Sequence, residues 1–274
     1  MRSTLRVLLL LFLAATARAD CGERIELPAH AGTTQRYALA QPAGNEPAIS
    51  LLLLVGGAGR LALDAQGCPT KLAGNSLVRM RPLFLAHGFV TAYADAPSDH
   101  TGDDGLAGFR TDPAHAADLG RIIADLRRRS GAAVWVVGTS RGAISAANAA
   151  SRLQGAEAPD GIVITSPVTV GNPQGRKAWV SQSVFDLPLE SILMPLLLVG
   201  HTEDACLRSP ASMLQAVAER SPSQRKQVVT VSGGPGASIA PGLEACEARS
   251  PHGFLEQEDA VAAGIARFVR GGRY

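Results

Sequence analysis

One serine lies between two glycines where an apolar run gives way to an alanine-rich run. Residues 134–150 read VWVVGTSRGAISAANAA, which places Ser140 in a Gly-x-Ser-x-Gly pattern. Gly138 and Gly142 would remove side chains that collide when a strand turns directly into a helix. A serine on such a turn is exposed to a carbonyl carbon, and the first amides of the helix favour an oxyanion beside it. Ser140 is therefore a candidate nucleophile, although the pattern alone is weak in a chain with 29 glycines.

A serine hydroxyl needs a base to accept its proton, and the chain has six histidines. His252, in the segment RSPHGF, follows the last apolar run and precedes the last helical pattern. This position predicts a loop at the sheet edge from which His252 can reach Ser140. Four other histidines are interpreted as structural or solvated: His30, His87, His100 and His115.

A third group should orient the imidazole and stabilise its protonated form. The apolar run 195–199 leads into GHTEDACL, which places Asp204 in a loop after a predicted strand. Asp204 is the preferred acid. The adjacent Glu203 is the first alternative, and Asp186 is the second. The chain order of serine, acid and histidine is the one found where the nucleophile lies on a strand-to-helix turn.

The elements that must position these residues are short apolar runs and helical patterns in alternation. Six runs bounded by glycine or proline predict buried strands at residues 49–55, 89–94, 133–137, 161–165, 195–199 and 227–231. Helical spacing follows an Asp112-Pro113 start and recurs over 213–217 and 261–268. This alternation predicts a single α/β domain with a mostly parallel central sheet and helices on both faces. Residues 168–187 show no clear period and are at most a short lid-like insertion.

The N-terminus has the pattern of an export signal. Arg2 and Arg6 precede an apolar run, and the small-residue segment ARA ends at Ala19. The run is shorter than the roughly 20 residues that a spanning helix needs. We therefore predict a signal peptide at 1–19, a domain at 20–274, and a periplasmic or secreted protein without membrane association after cleavage. A formal net charge of +2 gives no reason to expect nucleic acid as a partner.

Four segments resemble motifs of the α/β-hydrolase superfamily, in the same chain order. LLLLVGGAG resembles its oxyanion-loop strand, VVGTSRGA its nucleophile turn, VGHTEDACL its acid loop and SPHGF its histidine loop. FVTAYADAPSD, WVVGTSRGAISAANAA and CEARSPHGFLEQE together resemble a group of exported bacterial hydrolases. The resemblance implies the α/β-hydrolase fold over about residues 49–269. It also implies an oxyanion hole made by the amide of Arg141 and one amide from Gly57 or Ala58.

Four cysteines would remain after cleavage of the signal, which favours disulfides in an exported chain. Three connectivities are compatible with four cysteines. In the fold that the resemblance implies, a Cys206–Cys246 bridge would join the acid loop to the histidine loop. Cys21 and Cys68 are then the second pair.

Together these residues predict a serine hydrolase that cleaves a carboxylic ester or related acyl bond of a small molecule, with no cofactor and no metal. Ser140 attacks, His252 transfers the proton and Asp204 orients His252. Thioesterase, peptidase and acyltransferase chemistry use the same groups and stay open. The side chain of Arg141 contacts an anionic substrate group or pairs with a structural carboxylate, and the sequence favours neither.

Two other function classes fit parts of the sequence. A protein with this fold can bind a ligand without catalysis. The segment VGGAGRLA also contains Gly57-x-Gly59-x-x-Ala62, a form of the dinucleotide-binding fingerprint of oxidoreductases. Dinucleotide binding is disfavoured because residues 66–69, Gln-Gly-Cys-Pro, interrupt the helix that this fingerprint requires. Asp95 also lies well beyond the usual spacing of about 20 residues to the acidic position.

Overall fold

The described residues form one sheet of eight strands. The computed structural model describes residues 21–44, 49–172, 174–235 and 242–274, so the predicted signal peptide at 1–19 lies outside the described residues. The strands are β1 Glu23–Pro28, β2 Thr34–Ala40, β3 Ser50–Leu54, β4 Val90–Ala94, β5 Val134–Thr139, β6 Gly161–Thr165, β7 Leu196–His201 and β8 Lys226–Val231. Their order across the sheet is β1-β2-β4-β3-β5-β6-β7-β8.

The sheet is parallel from β4 to β8 and antiparallel at one end. β1 pairs with β2, and β2 with β4, in antiparallel register, whereas every later pairing is parallel. The six predicted strands correspond to β3–β8 and differ at their ends by at most two residues. β1 and β2 were not predicted, because β1 is an edge strand with a largely exposed burial pattern. The predicted mostly parallel sheet is confirmed.

Five α-helices in the described parts of the chain cover the two faces of the sheet. They are α1 Ser76–Ala86, α2 Pro113–Ser130, α3 Gly142–Arg152, α4 Leu214–Arg220 and α5 Glu258–Val269. Alternate residues of a strand point to opposite faces, so Leu52 and Leu54 belong to the apolar cluster that includes residues of α2, α3 and α4. Leu51 and Leu53 belong to the cluster on the other face, which includes residues of α1 and α5. Burial of each such leucine contributes about 1.5–3 kcal/mol. None of the helices described is long and apolar enough to cross a bilayer.

The start of α2 follows the predicted capping pattern. The Asp112 side chain accepts a hydrogen bond from the amide of Ala114 at 2.7 Å, and Pro113 is the first helical residue. Gly131 ends the helix in the left-handed conformation. The cap fixes the first turn of α2, which carries His115 into the interior between the helix and the sheet.

His115 is fully buried. Its Nε2 lies 2.9 Å from Ser145 Oγ, while its Nδ1 has no hydrogen-bond partner in the part of the chain described. Burial, with the positive charge of Arg110 as a further cause, lowers the pKa of His115 to about 3. The unfolded chain takes up this proton near pH 6.5, so the folded state loses stability as the pH falls below that value.

We predict that His115→Gln weakens this acid sensitivity. Between pH 6.5 and 4.5 the wild-type free energy of unfolding should fall by about 2 kcal/mol more than that of the variant, since one pKa unit corresponds to about 1.4 kcal/mol. Urea unfolding at the two pH values measures the difference. His87→Gln, at an exposed position, is the control and should keep the wild-type dependence. Equal losses in wild type and His115→Gln would contradict the prediction.

Candidate active site

The turn between β5 and α3 brings the backbone of three segments into close contact. Ser140 lies at its centre with φ of 53°, a left-handed conformation that non-glycine residues rarely adopt. A Cβ on Gly138 would lie 2.5 Å from the carbonyl oxygen of Gly142, and a Cβ on Gly142 would lie 2.0 Å from that of Leu54. Both predicted glycines are therefore required sterically, and the turn projects Ser140 from the carboxyl edge of the sheet.

His252 and Asp204 meet Ser140 at this edge. His252 Nε2 lies 3.0 Å from Ser140 Oγ, and His252 Nδ1 lies 2.9 Å from Asp204 Oδ2. The His252 and Asp204 side chains are only 3% and 1% exposed, so water competes little for their hydrogen bonds. The other carboxylate oxygen of Asp204 accepts the amide of Cys206 at 2.9 Å. The structure thus joins the three residues in one hydrogen-bonded line.

The two alternative acids lie elsewhere. Glu203, beside Asp204, is exposed, and its amide donates to His201 Nδ1 at 3.1 Å. The Asp186 carboxylate accepts the amide of Ser183 at 2.7 Å and caps a short helical turn. Of the three candidates, Asp204 is therefore the one whose carboxylate contacts the imidazole.

The loop of His252 is held by residues that the sequence did not single out. Ser166, which follows β6, donates a hydrogen bond from its hydroxyl to the His252 carbonyl at 2.9 Å. The Arg79 guanidinium on α1 donates to the carbonyls of Gly253 at 2.6 Å and Ala248 at 3.0 Å. These contacts join residues 86 to 174 positions apart, so no local pattern in the sequence could have indicated them.

The structure contains both predicted disulfides, Cys21–Cys68 and Cys206–Cys246. The second bridge joins the loop of Asp204 to the segment that leads to His252, and both of its cysteines line the pocket. It closes a loop across 40 residues. In the chain-entropy model such a closure stabilises the fold by about 4 kcal/mol.

The predicted oxyanion donors lie on two loops beside Ser140. The described residues supply no hydrogen-bond acceptor for the amides of Gly57, Ala58 and Arg141. Gly57 and Arg141 line the pocket, whereas Ala58 does not and its carbonyl accepts the amide of Leu106. Of the two candidates on this loop, Gly57 is therefore the one that lies at the pocket wall with Ser140 and Arg141.

A buried arginine holds the Gly57 loop in place. Arg110 is 1% exposed and donates to the carbonyls of Val55 at 3.2 Å and Gly57 at 3.3 Å, and to Ser145 Oγ at 2.7 Å. Burial, and secondarily the charge of Arg141, lowers the pKa of Arg110 to about 9. Sequence reasoning missed this residue, which lies in a short helical turn without a recognisable motif.

The dinucleotide-binding reading does not fit the structure. The Gly57-x-Gly59-x-x-Ala62 segment does not open a helix, because β3 ends at Leu54 and α1 begins only at Ser76. The carboxylate of Asp95 accepts the amides of three successive residues, 61–63, at 2.7–3.2 Å, and is not free for a ribose. A Cβ on Gly59 would lie 2.4 Å from an Arg110 nitrogen, so this glycine makes room for the guanidinium.

A pocket of about 640 Å³ opens at Ser140. Its apolar walls include Leu72, Val168, Val180 and Leu243, and its charged side chains are Arg141, Arg208, Glu247 and Arg249. The described residues within 168–187 form short turns, and they contribute Val168, Trp179 and Val180 to the wall. The prediction of at most a short lid-like insertion agrees with this arrangement.

Two groups of side chains in the described residues have the spacing of metal ligands. The ligand atoms of His30, Asp99 and His100 lie within 4.8 Å of one another, but none of these residues lines the pocket. The other group consists of Asp204, Cys206 and His252. Here the Cys206 sulfur belongs to a disulfide and the imidazole already contacts Ser140 and Asp204, so these groups do not form a metal site.

No protein-family model matches the sequence, and no curated protein matches it significantly. Solved structures do match. An α/β serine hydrolase homologue from Coxiella burnetii is 13% identical, with a TM-score of 0.57 over 92% of this chain and 100% of the other. Thermogutta terrifontis esterase 2 phosphonylated by sarin is 13% identical, with a TM-score of 0.62 over 92% and 97%. Est1E from Butyrivibrio proteoclasticus is 13% identical, with a TM-score of 0.58 over 91% and 98%. The chain has the α/β-hydrolase fold, as the sequence predicted.

We predict that Gly142→Ala destabilises the protein by about 1–3 kcal/mol, because the new methyl group overlaps the Leu54 carbonyl. Chemical denaturation measures the free energy of unfolding. Gly102→Ala is the matched control: a Cβ there meets nothing within 4 Å, so its effect should stay within about 0.5 kcal/mol. Equal stability of the two variants would contradict the proposed steric role of Gly142.

Proposed function

We propose that this protein is a serine hydrolase that cleaves a carboxylic ester or related acyl bond through a covalent acyl-enzyme. The observation that carries the proposal is the line of hydrogen bonds from Asp204 through His252 to Ser140, at the wall of a pocket. A nucleophile, a base within hydrogen-bond reach and a group that orients the base are the parts that acyl transfer requires.

Each residue has a role set by its contacts. Ser140 Oγ attacks the carbonyl carbon while His252 Nε2 takes the hydroxyl proton, and the imidazolium then returns that proton to the leaving alcohol oxygen. Asp204 accepts the Nδ1–H, which keeps Nε2 free as the proton acceptor. The amides of Arg141 and Gly57 stabilise the oxyanion, and loss of one such donor typically costs about 10²–10³ in turnover. A water molecule then attacks the acyl-enzyme carbonyl while His252 takes its proton. The imidazolium returns the proton to Ser140 Oγ as the carboxylic acid is released.

Several observations support a small-molecule ester as the substrate. A pocket of about 640 Å³ has the size of ordinary small-molecule sites. Two similar structures are described as esterases, from Thermogutta terrifontis and from an Arctic intertidal metagenomic library. Two disulfides support export to the periplasm or medium. Thioesters, amides and acyl transfer use the same groups and are tested by substrate analogues.

A fluorophosphonate probe tests whether the protein is an enzyme. Such a reagent phosphonylates an activated serine and should label the wild-type protein at Ser140, as identified by mass spectrometry of the labelled peptide. Ser140→Ala should remove the label while its circular dichroism spectrum stays that of the wild type. A correctly folded wild-type protein that takes up no label would support a binding protein on a hydrolase fold.

Substitution of the acid tests the assignment of Asp204. Asp204→Asn should lower the turnover of p-nitrophenyl butyrate by about 10³–10⁴, because the amide favours the wrong imidazole tautomer. Glu203→Gln, one residue away and exposed, is the matched control and should retain wild-type turnover. If the Glu203 variant lost as much turnover as the Asp204 variant, the assignment of the acid would be wrong.

A further inference from the structure

The guanidinium of Arg141 forms no ion pair with any residue that the structure describes. The side chain lines the pocket directly after Ser140 and stacks on the Trp179 ring, whose centroid lies 4.8 Å from Cζ. In the described part of the chain, no carboxylate oxygen lies within 4.0 Å of its nitrogens and no acceptor takes a hydrogen bond from them. The charges of Asp104 and Glu247 act on Arg141 from a greater distance, but neither carboxylate forms an ion pair with it.

Arg141 lies in surroundings that make an unpaired charge unfavourable. The residue is half-buried, and burial lowers its pKa, with the nearby charge of Arg208 acting in the same direction; the carboxylates of Asp104 and Glu247 act in the opposite direction without reversing the shift. Removal of a cation from water without a partner costs free energy, which an anionic ligand would offset. The Trp179 face holds the guanidinium in the pocket without neutralising it.

The other charged groups of the pocket also favour an anion. Arg208 donates from Nε and one terminal nitrogen to the carbonyls of Val170 and Gln182 and forms no ion pair with a described residue. Arg249, at the exposed rim, likewise forms no ion pair within the described chain. Among the described residues that line the pocket, Glu247 is the one with a carboxylate, and it is exposed. The Asp104 carboxylate, whose charge also acts on Arg141, pairs with Lys177. Three guanidinium groups of the lining thus face a single lining carboxylate.

We infer that the substrate is an anionic ester whose carboxylate binds Arg141, with Arg208 contributing a second positive charge, while its ester carbonyl lies at Ser140. The inference rests on the proposed function and adds the substrate class to it. A planar guanidinium pairs with both oxygens of a carboxylate, which orients the ligand as well as attracting it. Because Arg141 follows Ser140 directly, the charge and the scissile carbonyl belong to one short substrate.

Matched pairs of esters test the inference. The first pair, p-nitrophenyl hemisuccinate and p-nitrophenyl butyrate, places the charge on the acyl part. The second, the butyrate esters of 4-hydroxybenzoate and 4-hydroxybenzamide, places it on the alcohol part. The wild-type protein should prefer the charged member of at least one pair by about tenfold or more in kcat/KM, mainly through KM. The preference should shrink as salt rises.

Variants then assign the preference to Arg141. Arg141→Gln should lower the charged-to-neutral ratio by about tenfold, and Arg141→Lys should restore part of it, while both variants keep the backbone amide. Arg152→Gln, at the far end of α3, removes the same charge and should keep the wild-type ratio. A preference for the neutral member of both pairs, or an unchanged ratio in Arg141→Gln, would overturn the inference.

A binding measurement separates this inference from the proposed function. Succinate should raise the melting temperature of Ser140→Ala but not of the double variant Ser140→Ala/Arg141→Gln. Stabilisation by succinate without phosphonylation of the wild-type protein would contradict the proposed hydrolase and support the anion site. Phosphonylation with no effect of succinate on either protein would support the hydrolase and contradict the anion site.

Discussion

The close approach of α3 to the carboxyl ends of β3 and β5 is the constraint on which the site depends. The carbonyl oxygen of Leu54 occupies the space where a Cβ on Gly142 would lie, and Gly138 contacts the same turn from the other side. This approach forces Ser140 into the left-handed region and leaves the amide of Arg141 without an acceptor in the described chain. The exposed hydroxyl and the free amide are therefore consequences of one packing arrangement.

The second requirement is that distant loops meet at this turn. A parallel sheet places the carboxyl ends of β5, β6 and β7 at one edge, which brings Ser140, Ser166 and Asp204 close together. The histidine loop has no strand of its own to position it. Instead Ser166, Arg79 and the Cys206–Cys246 bridge hold it from three directions. The small exposure of His252 shows how completely these contacts enclose the imidazole.

The sequence predicted those features whose physical cause is local. The runs that became β3–β8 are apolar because both faces of the sheet are covered, and the glycines of the Ser140 turn are needed at fixed positions. β1 and β2 carry a weaker signal because an edge hairpin has exposed, polar positions. α1 was not predicted because Pro82 and the buried Arg81 interrupt the apolar periodicity typical of a helix. The contacts of Ser166 and Arg79 are long-range, so no local pattern encodes them.

Arg110 and Arg141 show why the electrostatics of the site could not be predicted either. Both are arginines near the Ser140 turn, yet Arg110 donates to two carbonyls and a hydroxyl, whereas Arg141 stacks on Trp179 and forms no ion pair with a described residue. The Arg110 guanidinium binds the carbonyl of Gly57, and this contact orients the neighbouring amides. The charge of Arg141 faces the pocket, where, in the proposed reaction, it would also favour the negative charge on a carbonyl oxygen at Ser140. If the proposal holds, a positive field at that point serves both substrate binding and the reaction, and a comparison of charged with neutral esters separates the two effects.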